Sequence, residues 1–159
     1  MRRLAIALAL GLSACSGNSD DPAAIEAKYQ ADLHTASDQA RARLPYFWEH
    51  FEAPQSDEYD FALKAALPRR DGQPGKEDVW VENIARAEDH ITGELRVDPK
   101  HLGDLRKGAI VEFREADITD WAMFRGQDLI GHYTTRVMLP RMDAEQAEGL
   151  RSILAENPA

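Results

Sequence analysis

The sequence has a single cysteine, Cys15, among 159 residues. A lone cysteine excludes a disulfide within the chain. Outside its first twelve residues the chain has no long apolar run, and a bilayer span needs about 20 such residues. Nucleotide-binding glycine loops, a Gly-x-Ser-x-Gly elbow and a His-Glu-x-x-His motif are all missing, and the five histidines are scattered. We therefore expect no metal ion and no cofactor.

Positive charge is also scarce. The chain has 19 basic and 28 acidic residues, giving a formal net charge of −9. Removing Arg2 and Arg3, which precede the apolar run, leaves 17 basic and 28 acidic residues, a net charge of −11. An acidic surface repels phosphate backbones, so nucleic acid is not an expected partner.

The first fifteen residues resemble a bacterial lipoprotein signal. Arg2 and Arg3 form a positive start, residues 4–12 are apolar, and Leu12-Ser13-Ala14-Cys15 has the pattern of a lipobox. We predict that residues 1–14 are a signal peptide and that the Cys15 thiol receives the lipid, with palmitate among its acyl chains. The alternative is an ordinary signal peptide cut elsewhere, in which Cys15 is incidental.

Lipidation of Cys15 predicts a membrane anchor in the cell envelope. In lipoproteins that this start resembles, Asp at the next position favours the inner membrane. Ser16 therefore points to the outer membrane, facing the periplasm. Residues 15–22 read as a flexible polar tether, and residues 23–157 as a single domain. Besides the membrane, an envelope protein or a small ligand is the expected partner.

Residues 23–51 show helical periodicity. Asp20 or Asp21 can cap the helix, Pro22 suits its first turn, and Pro45 predicts a break that opens a second short helix. The apolar residues at steps of three and four are Ile25, Tyr29, Leu33, Ala36, Ala40, Leu44, Phe47 and Phe51.

In the middle of the chain, apolar and polar residues alternate as they do in β-strands. Segment 59–67 is open between strand and helix, 68–76 is a loop or long hairpin connection, and 134–139 is strand or helix. Asp143 can cap a final helix that reaches Ala155. The expected strands are 78–86, 90–97, 108–114, 118–124 and a short return at 129–130. The fold class is thus α+β: an antiparallel sheet of about five strands, packed against N-terminal and C-terminal helices.

Several stretches resemble one bacterial family. They include ARARLPYFW, FALKAAL, EDVWVENI, ITGELRVDP, RKGAIVEF and DITDWAMFRGQDLIGHYTTRVML, which together span residues 40–139. They are similar to the YegJ-like group, a bacterial domain family of unknown function. The resemblance implies no activity, so each residue is argued on its own chemistry.

Potentially functional side chains are densest between residues 110 and 137. The candidate binding residues are Asp117, Asp120, Trp121, His132, Tyr133 and Arg136. His132 could act as a base and Arg136 could clamp an anion. The structural alternatives are a turn at Asp117, a backbone hydrogen bond or a pairing with Arg136 for Asp120, and a hydrogen-bonded structural role for His132.

Two tryptophans are assigned differently. We assign Trp80 to the core, whereas Trp121 is open between the core and the rim of a groove, because Asp120 beside it makes a polar rim plausible. Three hypotheses of function follow. The first is a lipid-anchored periplasmic binding or interaction domain without catalysis. The second is a small hydrolase that uses His132 with Asp120 and Arg136, and the third is an immunity-like protein with an acidic contact face.

Overall fold

The computed structural model describes residues 21–88 and 90–159. The predicted signal peptide, the lipidation site Cys15 and the tether as far as residue 20 lie outside the described residues. Within that part of the chain, four α-helices and a six-stranded antiparallel sheet confirm the predicted α+β class, with helices at both ends. None of the helices in this part is long and apolar enough to cross a membrane.

The N-terminal helices follow the local signals. Helix α1 spans Pro22–Ala42 and α2 spans Leu44–Glu52. The Asp21 carboxylate accepts a hydrogen bond from the Ala23 backbone N–H at 3.1 Å, so α1 begins at Pro22, the last residue of the predicted tether. The break falls at Arg43, because Pro45 fits the first turn of α2 but not the interior of a longer helix.

The remaining elements come in the predicted order. The strands are β1 (Glu58–Pro68), β2 (Lys76–Arg86), β3 (Ile91–Leu95), β4 (Ile110–Phe113), β5 (Ile118–Arg125) and β6 (Asp128–Gly131). Helix α3 spans Tyr133–Met138 and α4 spans Ala144–Ile153, the latter capped by Asp143 as predicted. The ambiguous segment 59–67 is a strand and 134–139 is mostly helix. Strand β1 raises the count from about five to six.

The sheet has the order β4-β3-β2-β1-β5-β6. Strand β1 is central: it pairs with β2 through a hairpin and with β5 on its other side, always antiparallel. From β2 the chain continues through β3 to β4, which is one edge of the sheet. It then crosses to β5 on the other side of β1, and β6 forms the opposite edge. That edge is covered by the C-terminal residues, since the Ala155 N–H donates to the Leu129 carbonyl at 3.1 Å.

One face of the central strands is apolar. Leu63 of β1 pairs in register with Val81 of β2 and with Trp121 of β5, so these three side chains lie on the same face of the sheet. All three are fully buried. Phe47 of α2 packs on Trp121, with ring centroids 5.6 Å apart. We call this side, defined by Leu63, Val81 and Trp121, the aromatic face; it holds most of the core.

Candidate functional site

A cavity of about 830 Å³ lies on the opposite side of the central strands. Helix α1 provides one wall, β1, β2 and β5 provide the floor, and α3 and α4 complete the enclosure. The helical contribution is mostly apolar, and its main residues are Tyr29, Leu33, Met138, Met142 and Leu150. The floor is more polar and includes Lys64, Trp80, Thr119, His132 and Thr134.

The floor is set by strand register. Lys64 follows Leu63, so its side chain projects from the other face of β1. Lys64 pairs with Trp80 of β2 and with Asp120 of β5, which brings an ammonium, an indole and a carboxylate onto one face. We call this side, defined by Lys64, Trp80 and Asp120, the polar face.

Asp120 anchors α3. Its carboxylate is completely buried and accepts hydrogen bonds from the backbone N–H groups of Trp121, Tyr133 and Thr134 at 2.8–3.0 Å. It also accepts one from the Thr134 hydroxyl at 2.5 Å. Burial raises the pKa of Asp120, while the bonds from Thr134 and the charge of Lys64 oppose that shift. Asp120 therefore caps a helix from a neighbouring strand, because His132 at the N-cap makes no side-chain cap bond.

A turn between β6 and α3 places His132 on the cavity. Gly131 has φ +82° and His132 has φ +55°, so two consecutive residues adopt left-handed backbone. A Cβ on Gly131 would lie 2.2 Å from the Trp121 carbonyl oxygen, which leaves room for glycine alone. The backbone therefore reverses sharply, and the His132 ring faces Trp80 with centroids 4.5 Å apart.

His132 is held as a neutral ring. Its Nδ1 lies 2.7 Å from the Thr135 hydroxyl. Burial, with a smaller contribution from the positive charges of Lys64, Arg96 and Arg136, lowers the pKa of His132 to about 4. At neutral pH the ring therefore contributes a flat, uncharged surface beside Trp80.

Lys64 is the cation on the cavity floor, which also includes the Asp78 carboxylate. Only 8% of the residue is exposed, and its Nζ donates to the Thr134 hydroxyl oxygen at 3.0 Å. The ammonium lies 5.6 Å from the centre of the Trp80 ring. Thr134 thus links Lys64 to Asp120, so a short chain of hydrogen bonds runs along the polar face.

The six residues predicted as a site do not meet at one surface. Asp117 pairs with Lys76 at 2.7 Å in a turn before β5. Trp121 lies in the aromatic face, where its indole N–H donates to the Ala40 carbonyl at 2.9 Å. Of the six, His132 is the one that lines the large cavity.

Two of the predicted residues line a second groove. Tyr133 and Arg136 border a groove of about 480 Å³ between α1 and α3. The Arg136 guanidinium donates to the carbonyls of Gly131 and Ala155 at 3.2 and 2.8 Å. These bonds join α3 to the C-terminal residues. Within the described chain, the Arg136 side chain makes no hydrogen bond to Asp120 or His132, and the link to His132 is the Arg136 backbone N–H, which donates to the His132 carbonyl at 3.2 Å.

The structure corrects the assignment of Trp80 and decides that of Trp121, which was open between the core and a groove rim. Trp80, assigned to the core from the sequence, is partly exposed on the cavity floor, whereas Trp121 is fully buried. The alternation in β2 could have predicted the position of Trp80. Val79 and Val81, its neighbours in the chain, point to the buried face, so Trp80 points to the opposite face. Lys64 was missed altogether: a lysine in a strand usually points to solvent.

Metal binding has no support in the described ranges, 21–88 and 90–159. They contain no group of three or more histidine, cysteine, aspartate or glutamate side chains placed to hold an ion. The cavity floor offers one ammonium, one carboxylate from Asp78, neutral hydroxyls and two aromatic rings, which suit an organic ligand better than a metal ion.

Comparisons with known proteins identify relatives of unknown activity. The chain is 26% identical to the uncharacterized protein YegJ of Escherichia coli K12 over 115 residues, which are 72% of each protein. It is 27% identical over 124 residues to a protein of Neisseria meningitidis serogroup B that is named as an ankyrin repeat protein. That match covers 74% of this chain and 49% of the relative, so the chain spans about half the length of the meningococcal protein.

The family match covers most of the domain. No solved structure matches the chain. The family model described as "Uncharacterized protein conserved in bacteria (DUF2314)" matches residues 30–152, which include the second half of α1, the whole sheet and most of α4. The predicted resemblance to the YegJ-like group is thereby confirmed, and the chain belongs to the bacterial family DUF2314.

Proposed function

We propose that this protein is a lipid-anchored domain of the bacterial cell envelope that binds a small molecule in the cavity between α1 and the polar face. The cavity volume of about 830 Å³ is the observation that carries the proposal. Small-molecule sites in proteins have volumes of roughly 300–1,000 Å³ and are lined mainly by apolar side chains with a few fixed polar groups.

The lining fits that description. Leu33, Met138, Met142 and Leu150 provide an apolar wall, and methionine side chains adapt their shape to a ligand at small cost. The polar groups are held in place by their own hydrogen bonds, as Thr134 is by Asp120. A prearranged site of this kind loses less entropy on binding than one that must be ordered by its ligand.

The contacts favour binding over hydrolysis. A catalytic histidine needs an orienting group and a nucleophile or water in reach. Asp120 uses its oxygens on α3 and on the Trp121 N–H, and the recorded partner of His132 Nδ1 is Thr135. The hydrolase hypothesis based on His132, Asp120 and Arg136 therefore has less support than a binding site.

The proposed lipid anchor is inferred from the lipobox pattern. Cys15 lies six positions before Asp21, the residue that caps α1, so a short polar segment separates the lipidated thiol from the folded domain. The acidic composition disfavours contact with anionic lipid. Both features support a domain that is tethered to the membrane and exposed to the periplasm.

A fluorescence titration tests the cavity. N-phenyl-1-naphthylamine, an uncharged apolar probe, should bind the wild-type domain saturably. Ser37 of α1 faces the cavity, so Ser37→Trp should fill part of it and weaken probe binding about tenfold or more. Ala31→Trp, on an exposed part of the same helix, should bind like wild type. Equal probe binding by all three proteins would remove the cavity as the binding site.

Metabolic labelling tests the anchor. Full-length protein expressed in a Gram-negative host should incorporate radioactive palmitate and sediment with the membranes. Cys15→Ala should abolish both results, because it removes the acceptor thiol. A mature N-terminus that begins elsewhere and carries no lipid would reject the anchor and leave the cavity proposal untouched.

A further inference from the structure

We propose that the ligand of this cavity is an amphipathic organic anion, whose acidic head binds the Lys64 ammonium and whose apolar body lies against Trp80 and the methionine wall. The inference rests on the proposed binding function and names the class of ligand.

Lys64 has unused donor capacity. An ammonium carries three N–H groups, and among the described residues the Lys64 ammonium makes one hydrogen bond, to the Thr134 hydroxyl. A buried charge with unmet donors is costly. Since Lys64 itself lines the cavity, a carboxylate or sulfonate there could accept the remaining N–H groups and compensate this cost.

The electrostatic surroundings favour an anion. The charges that act on His132, the nearest titratable ring on the floor, come from Lys64, Arg96 and Arg136 and are all positive. Asp120 carries the opposing charge, but four hydrogen bonds from α3 and Trp121 already surround its carboxylate. Asp78 of β2 also lines the cavity, and it accepts a hydrogen bond from Thr119 at 2.9 Å. Arg41 of α1 is a second cation in the lining, so Lys64 and Arg41 outweigh the single lining carboxylate, Asp78.

The apolar part of the ligand has a matching surface. Trp80 and His132 lie with an angle of 31° between their rings and form an aromatic floor next to the Lys64 ammonium. Met138 and Met142 stand on the helical wall of the same cavity. An acidic group directly attached to an aromatic or aliphatic body would contact the ammonium and these apolar groups together.

Two probes with the same ring system separate the contribution of the anionic group to binding from that of the apolar body. Anilinonaphthalene sulfonate and N-phenyl-1-naphthylamine share the same ring system, and only the first carries an anionic group. Lys64→Met should weaken binding of the sulfonate about tenfold, the loss expected for one charge-assisted hydrogen bond, and change binding of the amine less than about twofold. Lys64→Arg should retain sulfonate binding. Lys107→Met, which removes an exposed lysine far from the cavity, should leave both unchanged.

A wild-type measurement covers the case in which Lys64→Met does not fold. Displacement of N-phenyl-1-naphthylamine by 1-naphthoate should be about tenfold stronger than displacement by 1-naphthamide, its uncharged isostere. Equal displacement by the two compounds, or an equal loss of binding of both probes in Lys64→Met, would overturn the inference of an anionic ligand. The cavity would then still be a binding site. Absence of saturable amine binding to the wild type would instead overturn the proposed function itself.

Discussion

The aromatic face and the polar face use the same backbone for opposite purposes. Leu63 and Lys64 are neighbours in β1, and each is paired across the sheet with residues of β2 and β5. On the aromatic face, the partners of Leu63 are apolar and packed by α2. On the polar face, the partners of Lys64 are the Trp80 indole, which lines the cavity with Lys64, and the buried Asp120 carboxylate.

The difference shows how the fold separates stability from binding. On the aromatic face, close packing of large rings provides most of the stabilisation. A cavity gives up that packing, and its surrounding polar groups must be held by hydrogen bonds instead. Asp120 supplies this support, because it fixes α3 above the floor of the cavity. Substitutions on the aromatic face should therefore lower stability, whereas substitutions of the cavity-lining residues on the polar face should mainly weaken ligand binding.

The largest contrast is expected between the two tryptophans. Trp121→Ala should lower the free energy of unfolding by about 3–5 kcal/mol, because it empties the centre of the aromatic face. Trp80→Ala should lower it by only about 1 kcal/mol, because the indole is partly exposed, but it should abolish binding of the apolar probe. Urea unfolding and probe titration measure both effects. Similar stability losses would contradict the division between the faces.

Local signals in the sequence were sufficient for the elements of the fold. Asp21, Pro45 and Asp143 mark helix boundaries through their own side chains and backbone restrictions, and the structure places boundaries at or next to all three. The segment 59–67 stayed ambiguous because its alanines suit a helix. Its alternation of apolar residues favoured a strand, and its central place between β2 and β5 decides for the strand.

The site was less predictable because its contacts are long-range. Lys64 binds Thr134, 70 positions later, and Asp120 caps a helix that starts 13 positions later in the chain. The residue types alone were enough to make Asp120 and His132 candidates. They did not identify the partners that bury Asp120 and place His132 on the cavity. Trp80 could have been assigned correctly, since Val79 and Val81 on either side of it account for the buried face.

Removal of the Asp120 charge should produce the next largest effect. Asp120→Asn replaces a carboxylate that accepts four hydrogen bonds by an amide with one acceptor oxygen, which leaves buried donors unsatisfied. We expect a loss of about 3 kcal/mol and faster hydrogen exchange in Tyr133–Met138. Asp117→Asn is the matched control, because its pairing with Lys76 is more exposed and should contribute about 0.5 kcal/mol.

Protonation of His132 should make stability depend on pH. Its folded-state pKa is about 4, below the ordinary 6.5, so the unfolded chain binds the proton more readily. Stability that is present above pH 6.5 is therefore lost as the pH falls toward 4, by about 2 kcal/mol between pH 7 and pH 5.

The His132 contribution can be isolated by substitution. Asn tolerates the left-handed backbone at this position, so His132→Asn should fold and should lose this part of the pH dependence. Urea unfolding of both proteins at pH 5, 6 and 7 gives the difference directly. Parallel pH profiles for wild type and variant would show that the histidine is protonated equally in the folded and unfolded states.

The smallest expected effect concerns the Tyr133 hydroxyl, a polar group on the aromatic side. The Tyr133 hydroxyl is buried and has no hydrogen bond within the described residues, although its ring packs on Trp121 at 5.7 Å. Tyr133→Phe removes the unsatisfied group, keeps the ring, and should raise the free energy of unfolding by about 1 kcal/mol. Tyr46→Phe is the matched opposite, because the Tyr46 hydroxyl accepts a hydrogen bond from Arg125 at 2.6 Å and its loss should destabilise by a similar amount. If both substitutions destabilise equally, the Tyr133 hydroxyl has a partner in solution, and the groove that it borders is a polar site in its own right.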